Sequence, residues 1–216
     1  AAGSATLLAS AIDNGSTDNC GIATRTVSPS SFTCANVGNN TVTLTVKDAS
    51  NNTSTCTATV TIRDLIVPTA ICKNISVNLD NTGSAVITPA MIDNGSSDNC
   101  GSVTLSLSKT SFDCSNLGAN PITNTVTLTV TDTAGNSSTC NAIVTVLDDE
   151  KPVAICKPYT LVLAADGTGT LLSANIDNGS SDNCGITSMT LSKTNFTCTD
   201  ANGAPQLVTL TVTDAS

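Results

Sequence analysis

Strict alternation of aliphatic residues with threonine is the dominant pattern of this chain. The pattern is found at residues 42–46, 126–130 and 208–212, where every second residue is valine or leucine and threonine fills the gaps. A second alternating run lies at residues 58–62 and recurs at residues 142–146. A period of two places one face of a strand in the core and the other in solvent. The pattern predicts an all-β fold with helix limited to one short turn.

Two sequence blocks recur in register along the 216 residues. The block Asp-Asn-Gly-Ser-x-Asp-Asn-Cys-Gly occupies residues 13–21, 93–101 and 177–185, and Phe-x-Cys follows each copy at residues 32–34, 112–114 and 196–198. The copies are about 80 residues apart, so one small unit is used in tandem. Seven or so short strands in such a unit predict an antiparallel immunoglobulin-like β-sandwich.

Aligning the repeats divides the chain into three predicted domains. Residues 1–66 lack the first strand of the unit, residues 67–150 form a complete copy, and residues 151–216 lack the last strand. We expect the chain to be a segment of a longer array. A strand supplied by a neighbouring chain is the alternative explanation for one incomplete copy.

Composition narrows the functional class. The chain has no His, its formal net charge is −9 and only 12% of its residues are charged. Because histidine is the commonest acid–base catalyst near neutral pH, we expect no enzyme here. An acidic surface repels phosphate backbones, which argues against a nucleic-acid partner. No run of 18 apolar residues predicts membrane insertion.

The ten cysteines indicate the redox compartment. Four of them, Cys72, Cys100, Cys114 and Cys140, fall in the complete unit, and no Cys-x₂₋₄-Cys zinc knuckle is present. We therefore expect disulfides, which indicate an extracellular setting. Small sandwiches with few aromatic residues need such cross-links, since they bury little apolar surface.

Four cysteines allow three connectivities, and the sequence does not select one. The preferred pairs are Cys72–Cys140, which joins the two ends of the unit, and Cys100–Cys114, which closes a local excursion. By analogy Cys20 pairs with Cys34 and Cys184 pairs with Cys198. Cys56 and Cys156 then require partners beyond this chain.

The Asp-Asn-Gly block is a candidate cation site because Ca²⁺ binds several oxygen ligands, often from Asp-x-Asn-Gly turns. Its carboxylates are Asp13, Asp18, Asp93, Asp98, Asp177 and Asp182. The alternative is an Asn-Gly turn in which the Asp side chain caps the backbone. A second candidate is the acidic junction, with Asp64 before Pro68 and residues 148–150 before Pro152. We interpret Asp48, Asp132 and Asp214 as capping groups ahead of turns.

Covalent glycans are a further possibility. Asn-x-Ser/Thr sequences begin at Asn14, Asn39, Asn51, Asn52, Asn74, Asn94, Asn136, Asn178 and Asn195. A chain this rich in Asn, Ser and Thr forms many of them by chance. Thr133 lies in Asp-Thr-Ala, which looks like the O-glycan acceptor used in Bacteroidetes.

The order of motifs resembles HYR-like (hyalin-repeat-like) domains, in particular the four-cysteine variety. The matching residues are Ala-Ile-Cys-Lys at 70–73, the Asp-Asn-Gly block, Phe-x-Cys, and Val-Thr-Leu-Thr-Val followed by Asp-x-x-Gly-Asn at 126–136. The first copy has Asn51 where the second has Gly135. The resemblance covers essentially the whole chain and implies tandem domains of large secreted surface or adhesin proteins, with no catalytic residues.

These observations predict a structural segment of an extracellular filament or adhesin stalk. The alternative is a module that binds glycans or a cell surface through its loops, and a third hypothesis is an accessory region beside a catalytic domain. The expected partners are neighbouring copies of the chain or adjoining repeats. No cofactor is expected apart from the Ca²⁺ considered above.

Overall fold

The computed structural model describes residues 3–117, 124–201 and 203–215. The first repeat contains β1 (Ser4–Thr6), β2 (Ile22–Ser28), β3 (Ser31–Thr33), β4 (Gly38–Asp48) and β5 (Thr53–Ile62). The second contains β6 (Ile75–Asn78), β7 (Ser84–Val86), β8 (Thr104–Leu107), β9 (Ser111–Asp113), β10 (Asn124–Thr131) and β11 (Ser137–Leu147). The third contains β12 (Thr168–Thr170), β13 (Ser188–Leu191), β14 (Asn195–Thr197) and β15 (Leu210–Thr213).

Helix is limited to short turns in the described residues. These are α1 (Pro89–Ile92), α2 (Ser173–Ile176) and 3-10 turns at Ala9–Ala11, Cys34–Asn36 and Cys114–Asn116. None of the described helices is long and apolar enough to cross a bilayer. The sequence favours a single short turn, at residues 89–92; this turn is present as α1, but α2 and the 3-10 turns are additional to it.

The strands form small, mostly antiparallel sheets. The larger sheets have the orders β2-β4-β5 and β6-β11-β10-β8, and the two-stranded sheets are β1-β3, β7-β9, β12-β14 and β13-β15. β6 runs parallel to β11, with Ile75 opposite Val144, whereas the other described pairings are antiparallel. The predicted fold class is confirmed: the chain consists of tandem immunoglobulin-like β-sandwich repeats with disulfide cross-links.

The alternating pattern produces the core. In β10, Val126, Leu128 and Val130 are fully buried, while the two threonines between them are half-buried. Each Phe-x-Cys phenylalanine is also buried, since its short strand pairs with the strand that opens the same small sheet. Phe112 lies opposite Ala85, for example, and only 2% of it is exposed. Burying one such side chain contributes roughly 1.5–3 kcal/mol.

The turn between the two long strands is built the same way in the first and second repeats. Asp132 Oδ1 accepts hydrogen bonds from the backbone N–H groups of Ala134 and Asn136, both at 2.8 Å. Gly135 has φ +92°, and Asn51 at the equivalent position has φ +69°. Asparagine tolerates the left-handed region better than other side chains, so the turn survives this substitution.

The described residues cluster into two compact units. The first contains residues 1–73, 89–108 and 127–142, and the second contains residues 74–88, 109–126 and 143–216. β10 and β11 continue from one unit into the other along the chain. The division into domains at residues 66 and 150 stays a prediction, and its outer limits at residues 1 and 216 lie outside the described residues.

Candidate functional site

Three disulfides form among the described residues, and two of them connect neighbouring repeats. Cys34 is bonded to Cys100 and Cys114 to Cys184, so the cysteine of each Phe-x-Cys meets the cysteine of the following Asp-Asn-Cys block. The paired Cα atoms are 5.0 and 5.3 Å apart, which is ordinary disulfide geometry. The third bond, Cys72–Cys140, lies within the second repeat and is the end-to-end pair preferred from the sequence.

The local pairing expected for the other cysteines is corrected by the structure. Cys100–Cys114, Cys20–Cys34 and Cys184–Cys198 do not form, because Cys34, Cys100, Cys114 and Cys184 bond across repeats. The physical reason is that β9 pairs with β7, and this pairing carries Cys114 to Gly83 at the end of the small sheet. The carbonyl of Asn183, one residue before Cys184, lies 3.5 Å from the Cys114 sulfur at that end.

A repeated glycine makes room for each of these sulfurs. A Cβ atom on Gly83 would lie 2.7 Å from Cys114 Sγ and 2.8 Å from the Asn183 carbonyl oxygen. A Cβ atom on Gly3 would lie 2.2 Å from Cys34 Sγ. A Cβ atom does not approach another heavy atom within 3.0 Å without repulsion, so only glycine fits beside the inter-repeat disulfide.

Four cysteines are unpaired within the described part of the chain. Cys20, Cys56, Cys156 and Cys198 are exposed. Cys198 occupies the repeat position of Cys34 and Cys114, whereas Cys20 occupies that of Cys100 and Cys184. Each exposed thiol therefore stands where its counterpart elsewhere in the chain is disulfide-bonded.

The first aspartate of each Asp-Asn-Gly block caps its own turn. Asp93 accepts hydrogen bonds from the N–H groups of Ser96 at 3.0 Å and Gly95 at 3.3 Å. Asp177 accepts the equivalent bonds from Ser180 and Gly179. Hydrogen bonds from the serine hydroxyls, followed by the backbone bonds, lower the pKa of these carboxyls. In the first block Asp13 is bonded to Ser16 and also pairs with Arg25 at 2.6 Å.

The second aspartate of the block has different neighbours. Asp98 Oδ2 accepts a hydrogen bond from the Cys100 N–H at 2.6 Å. A carboxylate oxygen of Asp98 also lies within 4.8 Å of carboxylate oxygens of Asp64 and Asp132. We call these three residues the acidic cluster. Among the described residues it is the one group of three or more Asp, Glu, Cys or His side chains close enough to share a metal ion.

The acidic cluster joins three segments of the first compact unit. Asp64 follows β5, Asp98 is the second aspartate of the Asp-Asn-Gly block, and Asp132 begins the turn between β10 and β11. Asn136 Nδ2 ties two of these segments together, because it donates to Asp132 Oδ2 at 2.8 Å and to the Asp64 carbonyl at 3.2 Å. Of the sequence candidates, Asp98 and Asp64 are thus brought together, while Asp93 stays in its own turn.

Asp132 is the most buried member of the acidic cluster, with 6% of its surface exposed. Burial alone would raise the pKa of its carboxyl, but hydrogen bonds from Asn136, Ala134 and Gly135 outweigh burial and lower it. Asp132 therefore carries a negative charge under ordinary conditions. The sequence identified Asp132 as a capping group, which it is, but gave no sign that it adjoins Asp64 and Asp98.

Several buried oxygens near the repeat junctions lack a hydrogen-bond partner. They are Asp98 Oδ1 and Asn99 Oδ1 in the second repeat, and Asp182 Oδ1 and Asn183 Oδ1 in the third. The junction residue Asp148, which aligns with Asp64, is 7% exposed and accepts a hydrogen bond from Asn183 Nδ2 at 3.1 Å. Buried acceptors are normally satisfied, so a pair recurring at the same repeat positions calls for a physical cause.

The core of the third repeat is open on one side. Its buried residues are Leu171, Ile176, Phe196 and Leu210. Beside them lies a cleft of about 440 Å³, to which Tyr159, Leu161 and Leu163 contribute. Residues 159–162 align with β6, yet they form no strand in this structure. In the second repeat the aligned strand β6 pairs with β11.

The predicted glycan acceptors lie on accessible surface. Thr133 is exposed in the turn between β10 and β11. Asn14, Asn94 and Asn178 are also exposed, in the Asp-Asn-Gly blocks. Exposure makes modification sterically possible, and glycosylation itself stays a prediction.

Comparisons with known proteins identify no family. No family model matches the chain, and no curated protein matches it. A solved structure described as protocadherin gamma B7 extracellular cadherin domains 1–4 is 15% identical with a TM-score of 0.32; the match covers 90% of this chain and 59% of that one. The EC3–6 cis-dimer of protocadherin gammaB7 is 17% identical with a TM-score of 0.29, over 72% and 43% of the two chains. The chain thus spans about half the length of these structures, and the TM-scores are too low to support an inference about function.

Proposed function

We propose that this chain is a structural segment of an extracellular filament or adhesin stalk built from tandem disulfide-linked repeats. The observation that carries the proposal is the stagger of the disulfides. Cys34–Cys100 and Cys114–Cys184 each close a loop of 66 or 70 residues, and each bond joins one repeat to the next. Bonds that join successive repeats resist their separation under tension, which is the property that a load-bearing fibre requires.

The stagger shortens the covalent route along which tension travels. The backbone from Cys34 to Cys184 has 150 residue steps, but the route through the two disulfides includes only the 14 steps from Cys100 to Cys114. At about 3.4 Å per extended residue, the two disulfides limit the extension of this region to roughly 50 Å, compared with roughly 500 Å when all three disulfides, including Cys72–Cys140, are reduced. The repeats are thus protected from unravelling.

Two unpaired cysteines and the open cleft of the third repeat support the presence of further repeats joined by the same kind of disulfide. Cys198 and Cys20 occupy positions that are bonded elsewhere in the chain, so an adjoining repeat can supply the partner of each. The cleft of the third repeat has the place and the apolar lining for a strand with the alternating pattern of β11. The adjoining repeats belong either to the same polypeptide or to a neighbouring copy. Extracellular location follows from the need to keep these bonds oxidised.

Single-molecule force spectroscopy tests the proposal. The chain is pulled from handles at its two ends, first oxidised and then after reduction with a phosphine. We expect the extension released between Cys34 and Cys184 to rise from roughly 50 to roughly 500 Å on reduction. The double variant C34S/C114S lacks both inter-repeat bonds but keeps Cys72–Cys140, so it should release roughly 280 Å without reductant and roughly 500 Å with it. A release of several hundred ångströms from the oxidised wild-type chain would contradict a load-bearing role.

Electron microscopy of native material separates the stalk from the alternative adhesive module. Continuous fibres with a bead for each repeat are expected. Isolated compact particles that bind a glycan array would favour recognition through the loops.

A further inference from the structure

The acidic cluster concentrates negative charge without a basic partner. Asp64, Asp98 and Asp132 carry three carboxylates whose nearest oxygens lie within 4.8 Å of one another. The ion pairs among the described residues are Arg25–Asp13 and Lys193–Asp200, and neither involves the cluster. Three like charges at this separation oppose folding unless something neutralises them.

A second observation is the buried, unsatisfied oxygen of Asp98. Its Oδ2 atom accepts the Cys100 N–H, but its Oδ1 atom is buried and has no hydrogen-bond donor. An ionised carboxylate is an acceptor only, so this atom requires either a donor or a cation. The Oδ1 atom of the neighbouring Asn99 is also buried and without a hydrogen-bond donor.

Comparison of the repeats shows where the unsatisfied oxygens occur. Asp182 Oδ1 and Asn183 Oδ1 repeat the arrangement in the third block, which follows the acidic junction at Asp148. In the first block Asp18 makes the same hydrogen bond to the Cys20 N–H, at 2.8 Å, but is exposed to solvent. The Asp-Asn-Gly block alone therefore does not bury an aspartate oxygen without a hydrogen-bond donor. The unsatisfied pair is found in the blocks that follow an acidic junction.

We propose that the acidic cluster binds a divalent cation, with Ca²⁺ as the ion that fits it best. All three residues offer hard carboxylate oxygens, which Ca²⁺ prefers at about 2.3–2.6 Å, and ligands on opposite sides of such an ion are about 4.8 Å apart. Zinc is disfavoured, because the chain has no His and the cysteines near the cluster are bonded in disulfides. The flexible coordination of Ca²⁺ also accommodates ligands from three different segments.

The ion would fix the segment after β5 to the second repeat. Asp64 lies in that segment, while Asp98 and Asp132 belong to the second repeat, and all three lie in the first compact unit. A cation held by all three gives the connection a stiffness that the single amide bridge of Asn136 does not supply. The affinity expected for an extracellular site of this kind is about 10⁻⁴–10⁻³ M.

Isothermal titration calorimetry of the complete oxidised chain with CaCl₂ tests the site. Asp98→Asn and Asp64→Asn should each weaken Ca²⁺ binding at least about tenfold, since each removes one charged ligand. Asp18→Asn is the matched control, because it removes the same carboxylate from the same motif at an exposed position. It should leave the affinity unchanged.

Thermal unfolding in EDTA and in CaCl₂ distinguishes loss of the ion from misfolding of the variant, because a misfolded variant would unfold at a lower temperature in both solutions. In EDTA, Asp98→Asn should unfold at a higher temperature than the wild type, because it removes a repelling charge and adds an N–H donor toward the cluster. In CaCl₂ the order should reverse. The inference is overturned if the wild type binds no Ca²⁺ at about 10 mM, well above the affinity range of such sites. It is equally overturned if Asp18→Asn weakens binding as much as Asp98→Asn, or if Ca²⁺ stabilises Asp98→Asn as much as the wild type.

Discussion

Removal of one inter-repeat disulfide should destabilise the second compact unit by an amount set by its loop length. The double variant C114S/C184S opens a loop of 70 residues. The chain-entropy relation for such a loop gives about 4 kcal/mol at 25 °C. Both cysteines are replaced, so that no free thiol remains to exchange with other disulfides. The expected loss is a large fraction of the stability of a small domain.

Tyrosine fluorescence during urea unfolding measures this loss. Tyr159 is the one tyrosine of the chain, the chain has no tryptophan, and residue 159 lies in the second compact unit with both cysteines. With a urea m-value of about 2 kcal/mol/M, the midpoint should fall by about 2 M. The matched control is C20S/C198S, which replaces two exposed, unpaired cysteines at equivalent repeat positions. Its effect should stay within about 0.5 kcal/mol.

The two variants together decide between the cross-repeat and the local connectivity. If Cys184 were bonded to Cys198, the control variant would lose a loop of about 14 residues and about 3 kcal/mol of stability. A destabilised control, or a C114S/C184S variant with an unchanged midpoint, would refute the staggered arrangement.

Three other changes test the packing and electrostatics of the repeat. Phe112→Ala should cost about 3–5 kcal/mol in urea unfolding, because Phe112 is 2% exposed, whereas Val162→Ala, at 82% exposure, should cost almost nothing. Gly83→Ala should lower the yield of the Cys114–Cys184 disulfide on oxidative refolding, counted by thiol titration, since the added Cβ would lie 2.7 Å from the sulfur. Stability should be constant at neutral pH and fall as the pH drops below about 4, measured by thermal unfolding. In the folded chain the pKa values of capping carboxyls such as Asp93 and Asp132 lie below the ordinary 3.8. On acidification the unfolded chain therefore binds protons first, and the folded state loses stability. A thermal unfolding midpoint that rises on acidification would contradict this.

The fold could be predicted because its signals are local. Alternation alone located the long strands, since a period of two has one structural meaning when the apolar face must be buried. The repeated Phe-x-Cys phenylalanine is buried in all three copies, at 1%, 2% and 8% exposure. The turn that holds Asn51 or Gly135 was likewise recognisable, because few residues adopt a positive φ.

The disulfide pattern and the acidic cluster could not be predicted, because they depend on which ends of the repeats meet. Cys100 and Cys114 are only 14 residues apart, and sequence separation favours that pair. The structure instead brings Cys34 to Cys100 across 66 residues. The glycine beside each sulfur, Gly3 or Gly83, was a visible signal that a close approach occurs there. The block aspartates were seen as one group, whereas the structure uses Asp93 as a turn cap and places Asp98 with Asp64.

Peptide mapping of the oxidised chain by mass spectrometry tests the central claim most directly. Proteolysis without reduction, with free thiols alkylated beforehand, should release three cross-linked peptide pairs: Cys34 with Cys100, Cys72 with Cys140, and Cys114 with Cys184. Cys20 and Cys198 should carry the alkyl label in this chain. Recovery of a peptide in which Cys100 is bonded to Cys114 would contradict the account, because each repeat would then be closed individually and no disulfide would join one repeat to the next.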